Sequence, residues 1–226
     1  MYSFDGVNDF VNIPFKSLFN VSHFSILAFI RTTSSGIQNI VDRDDSFSQR
    51  IFQFRLNAVG KLDFIPFFAG SPLTTVTSGA IINDGKNHCV GVTYDKVNIK
   101  LYIDGSNAYT VAETRAMDTS GTKTILIGAT AAGAQQNFNG IINEVIFCST
   151  SLTAYDVNQI SNSGVKGTAI QAVVPGSLVF YMPLDEFANG VAASGTDATR
   201  DRGPNGLNGT PTNSPTGSPE NMLSYM

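Results

Sequence analysis

Apolar and polar side chains alternate along this chain in short runs that are separated by turn signals. The clearest case is Asn87–Gly105, NHCVGVTYDKVNIKLYIDG, where apolar residues take every second position of two segments joined at Asp95–Val97. Because successive side chains on a strand point to opposite faces, one face of this hairpin is apolar. A lone hairpin is marginal in water, so the pattern predicts more strands and a second layer over that face.

The same pattern predicts strands along most of the chain, and one short helix. The helix is predicted to begin after Thr153, whose hydroxyl can accept from the N–H of Asp156, with Val157 and Ile160 facing inward. Tyr2–Pro14 is predicted to be a pair of strands broken by the turn Asp5-Gly6. The other predicted strands are Phe24–Thr32, Asn39–Asp42, Ile51–Leu56, Lys61–Phe64, Ala108–Glu113, Thr124–Gly128, Phe138–Cys148 and Leu178–Leu184.

Three stretches in the same order resemble the laminin-G-like (concanavalin A-like) jelly-roll family. They are Phe4–Pro14 (FDGVNDFVNIP), the central hairpin, and Phe138–Ile160 (FNGIINEVIFCSTSLTAYDVNQI). The resemblance implies an all-β, two-sheet antiparallel jelly-roll sandwich with one short helix in the C-terminal half. The chain departs from the family pattern at Asn87, where the family usually has Trp, and at Asn143, where it usually has Asp.

The 226 residues are predicted to form a single domain over residues 1–210. The segment after the strand at 178–184 resembles one that family modules carry before their FDG motif, so this strand is predicted to complete the sandwich in a circularly permuted arrangement. The alternative is the truncated start of a second module. Residues 211–226, rich in Pro, Ser and Asn, are predicted to be a loose tail or to order against a partner.

Composition and charge argue against several classes of function. The net charge is −4 and no basic cluster is present, which argues against nucleic acid as a partner. No apolar run approaches the ~20 residues of a spanning helix, and no secretory signal follows Met1. Cys89 and Cys148 lie in different predicted strands, and two buried thiols are favoured over a disulfide.

Catalysis is not expected from the residues present. The chain has two histidines, His23 and His88, and His88 alternates with core positions, so a packed and satisfied histidine is favoured over a base. Some relatives of the resembled fold are glycosidases, which need two carboxylates across a sugar bond. The closing strand offers Glu144 with Asn143 beside it, so the protein is predicted not to be an enzyme.

A calcium site is the candidate cofactor site. Asp42, Asp44 and Asp45 form the densest acidic stretch, and many members of the resembled family bind Ca²⁺ at a rim loop through such oxygens. The alternative is a solvated loop, neutralised by Arg43 and Arg50. The acidic pair Asp185-Glu186 has the same two interpretations.

Phe67, Phe68 and Tyr102 are the candidates for a ligand or partner surface. Exposed aromatic rings serve glycan sites as stacking platforms, whereas an exposed Phe pair also suits a protein interface. The alternative for each ring is packing against its own sheet or a loop.

Two functions follow as hypotheses. The first is a structural protein of a virion surface, such as a capsid decoration or fibre protein, that docks on other virion proteins or on copies of itself. It would be made in the host cytoplasm without a signal peptide. The second is a carbohydrate-binding, lectin-like module, with or without calcium, that acts outside the cell on cell-surface glycans. Both rest on fold and context more than on a site.

Overall fold

The computed structural model describes residues 1–44, 50–68, 75–130, 136–163, 168–174 and 176–218. Within these residues the strands form two antiparallel sheets, which confirms the predicted two-sheet sandwich. The first sheet contains β1 (Tyr2–Asp5), β3 (Phe24–Arg31), β8 (His88–Tyr94), β9 (Asn98–Ile103), β10 (Ser106–Ala112), β12 (Asn139–Cys148), β13 (Leu178–Met182) and β15 (Thr216–Gly217). The second contains β2 (Phe10–Ile13), β4 (Gln38–Asp44), β5 (Arg50–Leu56), β6 (Lys61–Pro66), β7 (Val76–Ile81), β11 (Ile125–Ile127) and β14 (Thr210–Thr212).

Strand order follows from the pairing registers. The eight-stranded sheet runs β10-β9-β8-β3-β12-β1-β15, and β13 also pairs with β12. The seven-stranded sheet runs β14-β2-β11-β4-β5-β6-β7. The hairpin β8–β9 is therefore part of the larger sheet, where Val92 lies opposite Leu101 as the alternation requires.

The main core lies between the two sheets and is rich in aromatic rings. Phe24 of β3 is its centre, because its ring lies 5.7 Å from Phe52, 5.8 Å from Phe64, 6.1 Å from Tyr94 and 6.2 Å from Phe147. These four rings come from both sheets, so the contacts bind one layer to the other. Tilted and offset ring pairs at these distances add stability beyond the area they bury.

The outer face of the eight-stranded sheet is also apolar, because two helices cover it. α1 (Ala154–Ser163) and α2 (Thr168–Val173) close a second hydrophobic cluster over this sheet. Its buried members include Leu27, Phe29 and Cys89 from the strands, with Ile160 and Ile170 from the helices. β3, with the sequence FSILAFIR, is consequently buried on both faces and reads as a continuous apolar run.

α1 begins where the sequence predicts. The Thr153 hydroxyl accepts from the Asp156 N–H at 3.2 Å, and the Thr153 N–H donates to Asp156 Oδ2 at 2.9 Å. This reciprocal cap satisfies backbone groups that a helix start leaves without partners. The second helix, α2, was not predicted, since its six residues are too few to show a helical period.

β12 is the longest strand, and its two edges have different neighbours. β3 runs along one edge, whereas β1 pairs with its first half and β13 with its second half on the other. Between these halves lies a bulge, where Glu144 takes a positive φ of 50°. The strand predicted at 178–184 thus lies in the sheet, beside β12; the circular permutation itself stays a prediction.

The prediction of a loose tail from residue 211 is wrong for residues 211–218. Thr212 pairs with Phe10 and Gly217 pairs with Tyr2, so this segment adds one short strand to the edge of each sheet. These strands were not predicted, because the segment is rich in Pro and each strand has only two or three residues, too few to show an alternation. Residues 219–226 lie outside the described residues.

Both cysteines are free and buried, as expected for two thiols without a disulfide. Burial raises the pKa of each thiol to about 12, because the interior disfavours the thiolate. Neither is therefore poised as a nucleophile.

Candidate functional site

The outer face of the seven-stranded sheet is polar. Along β5, Phe52, Phe54 and Leu56 point into the core, so Gln53 and Arg55 point outward. β6 repeats the pattern, with Asp63 outward between two core residues, Leu62 and Phe64. No described helix covers this face as α1 and α2 cover the other.

The strand registers bring these outward residues into two rows across the sheet. One row contains Asn12, Leu126, Asp42, Gln53 and Ile65, each opposite the next on a neighbouring strand. The other contains Asn39, Arg55, Asp63 and Thr77. We call the polar members of these rows, namely Asn12, Asn39, Asp42, Gln53, Arg55, Asp63 and Thr77, the polar sheet face.

Arg55 is the centre of a hydrogen-bond network on this face. Its guanidinium donates to Gln53 Oε1 at 3.2 Å and to Gln136 Oε1 at 3.3 Å, and its Nε lies 3.8 Å from Asp63 Oδ2. Gln136 also accepts from the Asn39 amide at 2.9 Å. Residues from three strands and a loop thereby fix one cationic side chain in place.

Asp63 is held just as firmly. Its Oδ1 accepts from the Asn57 amide at 3.0 Å and from the Thr77 hydroxyl at 2.8 Å. The Asp63 side chain is 5% exposed and that of Arg55 is 15% exposed. The face is therefore a set of preoriented polar groups, of which Arg55 is the more accessible charge.

Burial and charge act in opposite directions on Arg55. Burial lowers its pKa, while the negative charges of Asp63 and Asp42 oppose that shift. An arginine keeps its proton at neutral pH in any case, so the site holds one cation between two carboxylates.

Three buried polar atoms of this face make no hydrogen bond within the described part of the chain. They are Asn12 Oδ1, Asn39 Oδ1 and Arg55 Nε. An enclosed polar atom without a partner costs about 1–3 kcal/mol.

The first two acidic residues of the predicted calcium site lie in a strand and not in a rim loop. Asp42 and Asp44 belong to β4, and the Asp42 side chain is buried on the polar sheet face. Asp45 and the side chain of Asp44 lie outside what the structure describes. No cluster of three or more His, Cys, Asp or Glu that could hold a metal occurs among the described residues. The calcium site stays a prediction.

Arg43 does not neutralise the acidic stretch as the alternative supposed. It points to the other side of β4, is 1% exposed, and donates to the carbonyl oxygens of Phe19 at 2.7 Å and Gly121 at 2.9 Å. Burial lowers its pKa to about 10. It ties two segments distant in sequence to the end of β4 and is a structural residue.

Two of the three aromatic candidates are not exposed, which corrects the expectation of a ligand surface there. Phe68 is 5% exposed, because its ring packs 6.2 Å from Tyr94 with the Arg115 guanidinium 4.5 Å above it. Tyr102 is 1% exposed and packs in the cluster under the helices. Phe67, next to Phe68 in the sequence, is half-buried. The alternative interpretation, in which the ring packs against its own sheet or a loop, therefore holds for Phe68 and Tyr102.

Both ring nitrogens of His88 have partners, and these partners are carboxylates and not groups of the core. Its Nδ1 lies 2.8 Å from Asp104 Oδ2 and its Nε2 lies 3.1 Å from Asp84 Oδ1. The hydrogen bond to Asp104 raises its pKa most, and Asp84 adds to that shift. Its protonated form is thereby favoured, which suits an ion pair at the sheet end more than a general base.

The other acidic candidates have partners of their own. Asp185 accepts from the Arg202 guanidinium at 2.6 Å, and Glu186 accepts from the Tyr2 hydroxyl at 3.0 Å. Glu144, the acid on the closing strand, is buried and accepts from the Tyr181 hydroxyl. None of these three carboxylates lies on the polar sheet face.

The residues of the polar sheet face other than Asp42 were not among the candidates predicted from the sequence. The signal was present in two neighbouring segments, FQFRL and LDF, where polar residues alternate with core residues. Reading both together places Gln53, Arg55 and Asp63 on one face, because adjacent antiparallel strands keep their outward residues on the same side. What the sequence could not show is the register that puts Asp42 beside them.

The family comparison decides the affiliation. A family model described as Concanavalin A-like lectin/glucanases superfamily, of the laminin G type, matches residues 5–158. The chain belongs to this superfamily. The match covers the central hairpin and all but the end residues of the other two stretches that carried the resemblance, and it ends within α1. No curated protein matches the chain closely enough to count as a relative.

Several solved structures share the fold of this chain at low identity. A Bacteroides ovatus protein with a provisional carbohydrate-binding description aligns with a TM-score of 0.69 and 18% identity, over 94% of this chain and 58% of its own length. The CBM40 module of Ruminococcus gnavus IT-sialidase, bound to α2,3 sialyllactose, aligns with a TM-score of 0.58 and 14% identity, over 70% and 96% of the two chains.

Domain 4 of AbnA, a GH43 extracellular arabinanase from Geobacillus stearothermophilus in complex with arabinotriose, aligns with a TM-score of 0.55 and 15% identity, over 66% and 71% of the two chains. These neighbours are carbohydrate-binding modules, and at such identities they show the fold alone. The chain spans somewhat more than half the length of the Bacteroides ovatus protein. Among the described helices none has the length and apolar character needed to cross a membrane.

Proposed function

We propose that this protein is a carbohydrate-binding module whose ligand lies on the polar sheet face. The observation that carries the proposal is the pair of polar rows across the outer face of the seven-stranded sheet. The packing of the two sheets does not require charged residues on this outer face. Hydrogen bonds and an ion pair nevertheless hold Arg55 and Asp63 there in fixed positions. Binding sites typically hold a few preoriented polar groups of this kind.

The chemistry of the face suits a saccharide. Arg55 donates, Asp63 accepts and Gln53 does both, and Arg55 is the most exposed of the three, so a sugar hydroxyl group that meets Arg55 has a donor and two acceptors beside it. Phe10, Leu126 and Ala129 form a small buried apolar cluster on the same side of the sheet. The saccharides held by the Ruminococcus gnavus and Geobacillus stearothermophilus modules show that this fold accommodates such ligands.

The experiment is a glycan-array screen of the protein, followed by calorimetric titration of the best ligand. We expect Arg55→Met to weaken binding at least about tenfold, because a charge-assisted hydrogen bond contributes roughly 1.5–3 kcal/mol. Arg200→Met is the matched control, since Arg200 is an exposed arginine outside the polar sheet face and its loss should leave the affinity within about twofold. Equal losses in the two variants, or no glycan bound at all, would contradict the proposal.

Calcium is tested in the same titration. The screen is run with millimolar calcium and with EDTA, and Asp44→Ala is added, because Asp42, Asp44 and Asp45 are the predicted ligands. Binding that persists unchanged in EDTA would remove calcium from the proposal and leave the polar sheet face in it. The absence of catalysis, the virion role and the localisation stay predictions.

A further inference from the structure

Arg55 offers a ligand only part of its guanidinium group. An arginine binds a carboxylate most strongly when two of its N–H groups donate in parallel. The guanidinium has two edges that can do this: the end formed by Nη1 and Nη2, and the side formed by Nε and Nη2. The surroundings of each edge therefore decide whether the polar sheet face can hold an acidic ligand.

Protein acceptors already occupy Nη1 at the end of the guanidinium. Nη1 has two hydrogens, and it donates to Gln53 Oε1 at 3.2 Å and to Gln136 Oε1 at 3.3 Å. Gln136 Oε1 also accepts from the Asn39 amide at 2.9 Å, which holds this acceptor in place. Nη1 consequently has no N–H left for a ligand.

The side of the guanidinium is closed by burial and by a carboxylate. Arg55 Nε is enclosed by the protein, and Asp63 Oδ2 lies 3.8 Å from it. The Asp63 carboxylate cannot turn away freely, because its Oδ1 accepts from the Asn57 amide and the Thr77 hydroxyl. A second carboxylate at this edge would meet a fixed like charge, which is unfavourable. Nη2 is thus the one nitrogen of Arg55 that a ligand can use.

The charges around Arg55 give the face no positive excess. Asp63 and Asp42 both act electrostatically on Arg55. Lys61 lies two residues before Asp63 on β6 and therefore on the same side of the sheet. These two cations and two carboxylates cancel, so they do not draw an anion from solution. A carboxylate or sulfate bound here would lose its water without gaining a paired partner.

We propose that the polar sheet face selects neutral saccharides and discriminates against acidic ones, namely uronic acids and sulfated sugars. This inference rests on the proposed carbohydrate-binding function and adds the class of ligand to it. A sugar hydroxyl group accepts from Arg55 Nη2 and donates its own hydrogen to Asp63 or Gln53. A carboxylate has no hydrogen to donate, so beside Asp63 it can satisfy only half of that arrangement.

The experiment compares ligands that differ in charge. The neutral saccharide found by the glycan screen is compared with forms that carry one carboxylate or one sulfate at different ring positions, and with the methyl ester of each carboxylated form. By calorimetric titration of the full chain, forms whose charged group replaces a hydroxyl at the face should bind at least about tenfold more weakly. Their methyl esters, similar in size and uncharged, should recover most of the lost affinity.

Asp63→Asn tests whether the fixed carboxylate causes the discrimination. The amide keeps an acceptor for Asn57 and Thr77 and removes the charge beside Arg55 Nε. The affinity for acidic forms relative to the neutral saccharide should rise about two- to fivefold. Asp156→Asn removes the same charge from α1, which covers the other sheet, and should leave this ratio unchanged. An unchanged ratio in Asp63→Asn would contradict the inference.

Ionic strength supplies a readout that needs no variant. The affinity of the native protein for the neutral saccharide should be the same in low and high salt, because no net charge attracts it. Suppose instead that an acidic form binds more tightly than the neutral one, weakens with salt and is lost in Arg55→Met. The inference would then be overturned while the proposed function stood. If no glycan bound, or if Arg55→Met changed nothing, the proposed function would fall and the inference with it.

Discussion

In both sheets every second residue points away from the main core, but the two outer faces that these residues form have opposite environments. The eight-stranded sheet turns Leu27, Phe29 and Tyr181 toward α1 and α2, and this face is dry and apolar. The seven-stranded sheet turns Arg55 and Asp63 outward in a hydrogen-bonded network. One face stabilises the fold by burying apolar area, and the other holds oriented polar groups that the packing of the sandwich does not require.

The largest expected effect comes from the apolar face. Ile160→Ala should lower the free energy of unfolding by about 2–4 kcal/mol, because it removes a side chain that is 1% exposed under the helices. Urea unfolding measures it, with Tyr155→Ala on the exposed side of α1 as control, expected within about 0.5 kcal/mol. Glycan affinity should not change. If Ile160→Ala altered affinity as much as stability, the two faces would not be separable.

The polar face should show a smaller loss of stability and a larger loss of binding. Asp63→Ala leaves the Asn57 amide and the Thr77 hydroxyl without their acceptor and Arg55 without its nearest carboxylate. We expect a loss of about 1–3 kcal/mol by urea unfolding. Binding of the ligand found for the native protein should fall in parallel with that of Arg55→Met. If Asp63→Ala bound the ligand as the native protein does, the binding site would be confined to the row of outward residues that contains Gln53.

The smallest effect is a dependence of stability on pH at the end of the eight-stranded sheet. The pKa of His88 is raised in the folded protein, so its contribution is fully present below the unfolded pKa of about 6.5 and is lost as the pH rises through the folded value. His88→Gln should therefore be less stable than the native protein at pH 5, by up to about 1 kcal/mol, and should approach it at high pH. A difference in stability between the two proteins that grew with pH would contradict a raised pKa of His88 in the folded protein.

The fold was largely predictable, because its strands carry a two-residue period over long segments. β8, β9 and β12 were each placed within a residue or two, and so was the start of α1 at its Thr153 cap. β14, β15 and α2 were missed because they are too short for a period to show. Their residues are ordered by partners distant in the sequence, such as Phe10 for Thr212. β7 was missed although it has six residues, because its sequence VTSGAI carries no sustained alternation.

The site was less predictable than the fold for a related reason. Acidic density drew attention to Asp42, Asp44 and Asp45, and aromatic character to Phe68 and Tyr102, but neither property reports on which side of a sheet a residue lies. Phe68 and Tyr102 are in the core. A site on a sheet face is assembled by register across several strands, and register is set by tertiary packing.

The neighbours of β1 carry a consequence for synthesis of the chain. β1 pairs with β12 on one side and with β15 on the other, so Tyr2 lies opposite both Ile142 and Gly217. During translation its first neighbour emerges more than a hundred residues after it, and its second only after about seventy more. The sheet therefore closes around β1 only after Gly217 has been synthesised, and until then one edge of β1 lacks its partner strand.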